Sequence, residues 1–246
     1  QIWFNLGAGD VPPHTTRRAL IREMNPELEY CLWSLPDANK LISRHYPQYV
    51  SLWNSFPHGI NKADFFRYIL MHRFGGIYFD LDFVCCRSLQ PLIKENTVIL
   101  GEEWPYSFRD ATVHNGALVS GSAYHPFWVH VMEEIRKLSR RLTTDNERLD
   151  IQKSVFKLTG TAMLRDAVLS YWHTPIPTFT VLIAPFFVFC ALVSQSQFVT
   201  SYKRIPSKGS WMFPQESDVR QLSQSSHTFT FIAPAYKTWQ AFFQRQ

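Results

Sequence analysis

Hydrophobic and polar positions along the chain change between two patterns, one typical of helices and one typical of strands. The helix-like stretches are residues 16–24, 38–46, 61–73, 127–140 and 160–171. The strand-like stretches, which are rich in β-branched and aromatic residues, are 2–5, 30–34, 77–84, 98–101 and 116–120. Because the two kinds alternate along the chain, they predict an α/β fold. We expect one domain spanning residues 1–246.

The clearest boundary in this pattern is a pair of glycines, Gly75 and Gly76, which follows the best helix of the chain and is expected to end it. In the strand that comes next, the odd positions are apolar, whereas Tyr78, Asp80 and Asp82 occupy the even positions. Side chains alternate between the two faces of a strand. Two carboxylates are therefore predicted on one face, at the end of a buried strand.

Carboxylates buried in this way need a neutralising cation, because moving an unpaired charge out of water is costly. Mg²⁺ and Mn²⁺ are hard ions that prefer oxygen ligands, and they commonly bridge carboxylates to substrate phosphates. An ion at Asp80 and Asp82 would offset the charge of a bound diphosphate and stabilise it as a leaving group. The alternative is a surface turn that carries two solvated aspartates.

The preceding helix carries Asp64 and Arg67, which are three residues apart and therefore share a face. The spacing alone favours an ion pair on the surface of the helix, which would contribute little to stability. The functional alternative places Asp64 on a sugar hydroxyl and Arg67 on the sugar or a phosphate.

Composition narrows the class of ligand. Only 18% of the residues are charged and 46% are hydrophobic, which is typical of a folded domain rather than a disordered chain. The net charge of +5 fits an anionic ligand, an anionic membrane face or a solvated basic surface.

The chain has no run of five or more Lys or Arg residues, so we expect no nucleic-acid partner. Its four cysteines show no C-x-x-C spacing, so no zinc site is expected.

Residues 167–202 contain no Asp, Glu, Lys or Arg, and prolines interrupt their most apolar part. That most apolar part, residues 179–193, is too short for a membrane-spanning helix, which needs roughly 20 apolar residues. It is typical of core strands and loops, and the alternative is a membrane-associated surface. The chain begins in a strand-like stretch, so we expect that further residues precede it, and these would hold any signal or anchor.

The stretch 63–68, Ala-Asp-Phe-Phe-Arg-Tyr, followed by 75–82, Gly-Gly-Ile-Tyr-Phe-Asp-Leu-Asp, resembles the sugar-binding region of family 32 glycosyltransferases. Other similar stretches are 1–3, 25–33, 115–120, 125–127 and 159–161. The resemblance is good over about residues 1–170 and weak beyond them. It implies a GT-A fold with a Rossmann-like mixed sheet flanked by helices. It also implies a nucleotide-sugar-binding half at 1–120, and an acceptor half with a C-terminal lid at 121–246.

The resemblance implies roles for the acidic residues and their neighbours. Asp64 and Arg67 would hold the donor sugar. Tyr78 and Asp80 would contact the ribose, the sugar or the metal, although Tyr78 could equally be a packing residue. Asp82 would bind the metal directly, with Asp80 as the second carboxylate of the metal site.

Four further residues would contact the nucleotide or close over the site. Trp3 would stack on the base, or be an ordinary core aromatic. Asn39 would lie near the nucleotide, or be a helix N-cap or turn residue. Thr238 and Trp239 would close over the metal, at a place where relatives often carry His followed by Ser-Trp. This chain lacks that histidine.

The resemblance implies a retaining glycosyltransferase that moves a hexose, with mannose favoured, to a hydroxyl of a glycan or glycolipid. The expected donor is GDP-mannose or a UDP-hexose, and the expected metal is Mn²⁺ or Mg²⁺. If residues upstream carry an anchor, we expect the lumenal face of a Golgi or other secretory-pathway membrane. One alternative is a catalytically weakened, sugar-binding or membrane-associated relative. Another is a haloacid-dehalogenase-like phosphatase, in which the first Asp of such a pair is the nucleophile.

Overall fold

The computed structural model describes residues 1–2, 15–81, 83, 88–102, 113–144, 151–173 and 180–184. Four of the predicted site residues, namely Trp3, Asp82, Thr238 and Trp239, lie outside these ranges. The roles of those four residues therefore stay predictions.

The described ranges contain both helices and strands, as the hydrophobic pattern predicted. They are grouped rather than alternating, with four α-helices, three strands, three α-helices and one strand in that order. The α-helices are α1 Thr15–Met24, α2 Leu35–His45, α3 Val50–Ser55, α4 Gly59–Phe74, α5 Pro126–Thr144, α6 Ile151–Leu158 and α7 Thr161–Trp172. The strands are β1 Gly76–Phe79, β2 Thr97–Glu102, β3 Val113–Ser120 and β4 Thr180–Ala184. All five predicted helices are confirmed, whereas α3 and α6 were not predicted.

The four strands form one mixed sheet in the order β1-β3-β2-β4. β3 lies between β1 and β2 and is antiparallel to both, while β4 pairs with β2 in parallel. Helices pack against this sheet, with α4 and α7 contacting β3. The predicted fold class, an α/β fold with a mixed sheet flanked by helices, is confirmed.

Side chains that alternate along the strands enter two separate cores. Tyr78 and Leu118 belong to the larger core, which contains most of the buried residues of α4, α5 and α7. Their neighbours Phe79 and Val119 belong to the smaller core on the other side of the sheet. The predicted alternation in β1 is therefore confirmed for its last two residues, and Tyr78 faces the same side as helix α4.

The predicted strand 77–84 is shorter than expected. β1 ends at Phe79, and the next residues form a turn in which the backbone N–H of Phe83 donates to the carbonyl of Asp80 over 3.2 Å. Asp80 is therefore the first residue after the strand and not part of it. Its own N–H still bonds to the carbonyl of Gly116 on β3, over 2.9 Å, so the strand pairing holds its backbone in place.

The predicted strands 2–5 and 30–34 meet only as an isolated parallel bridge between Ile2 and Trp33 in the part of the chain that the structure describes. The end of helix α4 matches its prediction closely. Gly75 follows the helix with a φ of 67°, a value that favours glycine, and its N–H bonds to the carbonyl of Met71. Among the described helices, none is long and apolar enough to cross a membrane.

Candidate functional site

Helix α4 places Asp64 and Arg67 beneath the surface. The Arg67 Nη2 lies 2.9 Å from the Asp64 Oδ1, and the two side chains are 5% and 4% exposed. The spacing had favoured a surface ion pair, and that interpretation is wrong. The reason is tertiary, because α4 packs against β1, β3, α5 and α6, which cover the face that carries this pair.

Asp64 is held by three donors that converge from different elements. Besides Arg67, the Asn115 Nδ2 of β3 donates to its Oδ1 over 3.1 Å. The Thr159 hydroxyl, in the turn between α6 and α7, donates to its Oδ2 over 2.9 Å. Burial raises the pKa of Asp64 to about 6, although Arg67, Thr159 and Asn115 each lower it. A carboxylate with this many donors can be ionised while buried.

Arg67 joins this buried carboxylate to a second one. Its Nη1 lies 3.1 Å from the Oδ1 of Asp80 and donates to the backbone carbonyl of Asn115 over 2.8 Å. The planar guanidinium can serve several acceptors in fixed directions, which a lysine cannot. Burial lowers the pKa of Arg67, but Asp80, Tyr78 and Asp64 raise it by more, so the group stays charged.

Tyr78 completes the support of Asp80. Its hydroxyl donates to the Asp80 Oδ1 over 2.6 Å, and its ring lies 4.9 Å from the Arg67 Cζ, within the range of a cation–π contact. Burial raises the pKa of Tyr78 well above its usual value, so the hydroxyl remains a proton donor. Tyr78 is thus both a packing residue of the core and a partner of Asp80, and the two interpretations of it are compatible.

Asp80 differs from Asp64 because its side chain is 36% exposed. Its backbone is nevertheless fixed, since the Gln1 side chain donates to its carbonyl over 3.0 Å in addition to the strand pairing. The carboxylate is therefore held from beneath by Arg67 and Tyr78 and is open to solvent on its other side. This arrangement suits a carboxylate that binds a ligand.

Gly116 is a site residue that the sequence analysis missed. A Cβ at Gly116 would lie 2.4 Å from the Asp80 Oδ2 and 2.6 Å from the His114 Cε1. Real Cβ atoms do not approach other atoms so closely, so a side chain here would displace the carboxylate. The signal in the sequence was only a glycine in a strand, which often marks a close approach.

The described residues fit a divalent cation in part. Asp80 offers a hard oxygen ligand, and of its two oxygens Oδ2 is held only by Arg67 within the described ranges. Those ranges contain no group of three or more His, Cys, Asp and Glu residues that could hold a metal. The sequence argument had required a cation to neutralise the carboxylates. Arg67 supplies a single positive charge for Asp64 and Asp80 together, so one negative charge is left over when both are ionised. Further ligands would come from the substrate or from residues outside the described ranges, among which Asp82 is the predicted one.

Asn39 is the remaining described residue of the predicted site. It lies inside α2, and its Oδ1 accepts a hydrogen bond from the Trp53 Nε1 over 2.8 Å. The N-cap of α2 is Ser34, which forms a capping box with Asp37, so the alternative role of Asn39 as an N-cap is wrong. Its contact with a nucleotide remains a prediction.

Comparison with known proteins identifies the region that contains this cluster. Residues 15–99 match the family described as the glycosyltransferase sugar-binding region containing a DXD motif. The chain is 38% identical over 117 residues to inositol phosphoceramide mannosyltransferase 3 of Schizosaccharomyces pombe, covering 48% of this chain and 31% of that protein. It is 28% identical over 128 residues to mannosyl phosphorylinositol ceramide synthase CSH1 of Saccharomyces cerevisiae, covering 52% and 32%.

The chain thus spans about a third of the length of these two curated relatives. Among solved structures, it is similar to the PaToxG glycosyltransferase, with a TM-score of 0.45 and 12% identity over 69% of this chain and 66% of the other.

The matched region includes Asp64, Arg67, Tyr78 and Asp80, which the fold brings together, and Asp82. The resemblance inferred from the sequence is therefore confirmed by the family match and by the curated relatives. Residues 15–99 are therefore similar to the sugar-binding region of glycosyltransferases that contains the DXD motif.

Proposed function

We propose that this chain is the catalytic part of a retaining glycosyltransferase that moves a hexose from a nucleotide diphosphate sugar to a hydroxyl group. The observation that carries the proposal is the half-exposed Asp80 carboxylate, held from beneath by Arg67 and Tyr78 within the DXD region. A ligand hydroxyl can donate to the open side of this carboxylate without disturbing its supports.

The residues of the chain would bind and orient the donor. Asp80 accepts hydrogen bonds from a hydroxyl of the ribose or the sugar, and Arg67 holds the Asp80 carboxylate in place. Asp64 is too deeply buried to reach a ligand in this conformation, and its role is to hold Arg67 in place. A preorganised arrangement of this kind costs no reorganisation when the donor binds.

Mn²⁺ or Mg²⁺, held by Asp82 and Asp80, would stabilise the charge of the departing diphosphate as a Lewis acid. The net charge of +5 favours binding of such an anionic donor. In this proposal, residues 1–120 bind the nucleotide sugar, and residues 121–246 supply the acceptor side and the lid.

The donor sugar and the acceptor follow from the relatives. One relative is named an inositol phosphoceramide mannosyltransferase and another a mannosyl phosphorylinositol ceramide synthase. We therefore propose mannose as the sugar, GDP-mannose as the donor and a glycolipid as the acceptor. A glycolipid acceptor in turn favours action at a membrane surface, such as that of the Golgi.

The phosphatase alternative has no support in the site. A nucleophilic aspartate needs a carboxylate oxygen directed at a phosphorus atom. Arg67 and the Tyr78 hydroxyl bind the Oδ1 of Asp80, and Arg67 also lies 3.3 Å from its Oδ2. These donors lower the nucleophilicity of the carboxylate, although its open side can still accept a hydrogen bond.

The proposed function can be tested with the purified chain and a panel of GDP-mannose, UDP-glucose, UDP-galactose and UDP-N-acetylglucosamine. Each donor is incubated with Mn²⁺, with Mg²⁺ or with EDTA, and with or without inositol phosphoceramide in detergent micelles. We expect release of GDP from GDP-mannose, dependent on a divalent ion and stimulated by the lipid, with a mannosylated lipid as product.

The matched control is Asp80→Asn, which keeps the shape of the side chain but removes its charge. This variant should release GDP at about one hundredth of the parent rate. Turnover of no donor with either metal, or equal turnover by the control variant, would overturn the proposed function. Turnover of p-nitrophenyl phosphate that is lost in the control variant would favour the phosphatase instead.

A further inference from the structure

The turn between α6 and α7 carries a polar contact that the proposed function does not use. Thr159 is completely buried, and its hydroxyl donates to the Asp64 Oδ2 over 2.9 Å. The two residues are 95 positions apart in the chain, so this bond connects the region around α7 to the donor side. Within the described ranges, Thr159 is the donor that satisfies this carboxylate oxygen.

Two other residues of helix α4, one before and one after Asp64 in the chain, also bind this turn. Asn61 Nδ2 donates to the Thr159 hydroxyl oxygen over 3.0 Å. The Tyr68 hydroxyl donates to the Thr159 backbone carbonyl over 2.8 Å. Residues three, four and seven apart lie on one face of a helix, so Asn61, Asp64 and Tyr68 form a polar stripe directed at this single residue. Asn61 donates to the hydroxyl oxygen, so the Thr159 proton is left for an acceptor. The Asp64 Oδ2 at 2.9 Å is nearer to the hydroxyl than the other acceptor, the Val155 carbonyl at 3.4 Å.

Asp64 connects Thr159 to the partly exposed carboxylate of Asp80. Asp64 binds the Nη2 of Arg67, and the Nη1 of the same guanidinium binds Asp80. A guanidinium is rigid and planar, so a shift of the Asp64 carboxylate at one end also moves the group that holds Asp80. The orientation of Asp80 therefore depends on a hydrogen bond made on the far side of α4.

We propose that Thr159 is a positioning residue of the donor site, whose hydroxyl fixes Asp64 so that Arg67 can hold Asp80 in its binding orientation. The inference rests on the proposed function. A purely architectural role for Thr159 makes a different prediction, because loss of a tie between helices lowers stability but leaves the affinity of the folded molecules for the donor unchanged.

The test compares three variants of the full chain by calorimetric titration with GDP-mannose in Mn²⁺ and by thermal unfolding. Thr159→Val keeps the shape but removes the hydroxyl, so the Asp64 Oδ2 loses its donor, and we expect about tenfold weaker donor binding. Thr159→Ser keeps the hydroxyl and should bind within about twofold of the parent chain. Val168→Ala, in the core face of α7, should lower the unfolding temperature without changing donor binding.

Parent-like donor binding by Thr159→Val, or equally weak binding by Thr159→Ser, would overturn this inference alone. Absence of donor binding by the parent chain would instead overturn the proposed function, and this inference with it. If Thr159→Val does not fold, Asn61→Ala decides, because it removes only the bond that orients the hydroxyl. Weaker donor binding by Asn61→Ala would then support the inference, and unchanged binding would overturn it.

Discussion

Two carboxylates share one guanidinium in this molecule, and their surroundings differ in nearly every other respect. Asp64 is 4% exposed and receives donors from Arg67, Asn115 and Thr159. Asp80 is 36% exposed and is held on one side only. The comparison shows how one acidic side chain serves the framework of a site while the other remains open to a ligand.

The difference follows from where each residue lies. Asp64 is inside a helix that is covered by the sheet and by other helices, whereas Asp80 comes directly after the last residue of β1. A strand end fixes the backbone without enclosing the side chain. The two residues should therefore respond in opposite ways to substitution, one mainly in stability and the other mainly in donor binding.

Arg67→Ala should have the largest effect, because it removes the partner of both carboxylates. Breaking a buried ion pair on one side leaves an uncompensated charge and costs about 3–5 kcal/mol. Chemical denaturation should show this loss, together with loss of all donor turnover. Arg67→Lys is the matched control and should recover part of the stability but little turnover, since an ammonium cannot bridge both carboxylates. If the Arg67→Ala chain were as stable as the parent, Arg67 would not be the group that stabilises both carboxylates.

The second-largest effect should be a pH dependence of the unfolding free energy, caused by the raised pKa of Asp64. Burial raises its pKa from 3.8 in the unfolded chain to about 6, so the folded chain binds this proton more tightly. The stabilisation is present below about pH 4 and is lost as the pH rises through about 6. The unfolding free energy of the parent chain relative to Asp64→Asn should fall by about 2 kcal/mol between pH 4 and pH 7. A difference that stays constant or rises with pH would show that Asp64 is not in a low-dielectric site.

The third effect concerns Asp80 and should appear in activity rather than in stability. Asp80→Asn should lower kcat/KM for the donor about 100-fold, equivalent to about 2.7 kcal/mol in the transition state. Its unfolding free energy should change by less than about 1 kcal/mol, because a partly exposed pair is screened by solvent. If denaturation showed the larger loss and kcat/KM hardly changed, Asp80 would belong to the framework, as Asp64 does.

The smallest effect should come from Gly116→Ala, which tests whether the open carboxylate needs the space beside β3. The added methyl would meet the Asp80 Oδ2 at 2.4 Å, and its displacement should lower kcat/KM about tenfold, or about 1.4 kcal/mol. In the Asp80→Asn background the same substitution should have little further effect, since the two residues are in contact. Fully additive losses would mean that Gly116 acts on something other than Asp80.

Much of the fold could be predicted from the sequence, because it is encoded locally. The Gly75-Gly76 pair ends helix α4 where the pattern places it, and the alternation of Tyr78 and Phe79 sends these residues to opposite cores. The short helices α3 and α6 were missed because six or eight residues give little periodicity. β1 ends early, at Phe79, because a turn follows it. The alternating hydrophobic pattern continues through this turn, so the pattern did not indicate where the strand ends.

The candidate site was predicted in its members but not in its arrangement. Asp64, Arg67, Tyr78 and Asp80 were identified, and the fold brings them together. The burial of the Asp64–Arg67 ion pair could not be predicted from its i, i+3 spacing, because burial depends on the elements that cover α4. Thr159 and Gly116 were missed as contacts for the same reason, since each meets its carboxylate across a large sequence separation.

The most direct test of the account is the change in melting temperature of the parent chain and of Asp80→Asn when GDP-mannose is added with Mn²⁺. A ligand that binds only the folded state raises the unfolding free energy, by about 2.7 kcal/mol at a concentration of 100 times its Kd. The account predicts a clear, metal-dependent rise for the parent chain and none for the variant. Equal rises in both proteins, or no rise with any nucleotide sugar, would contradict a donor site built on the open carboxylate.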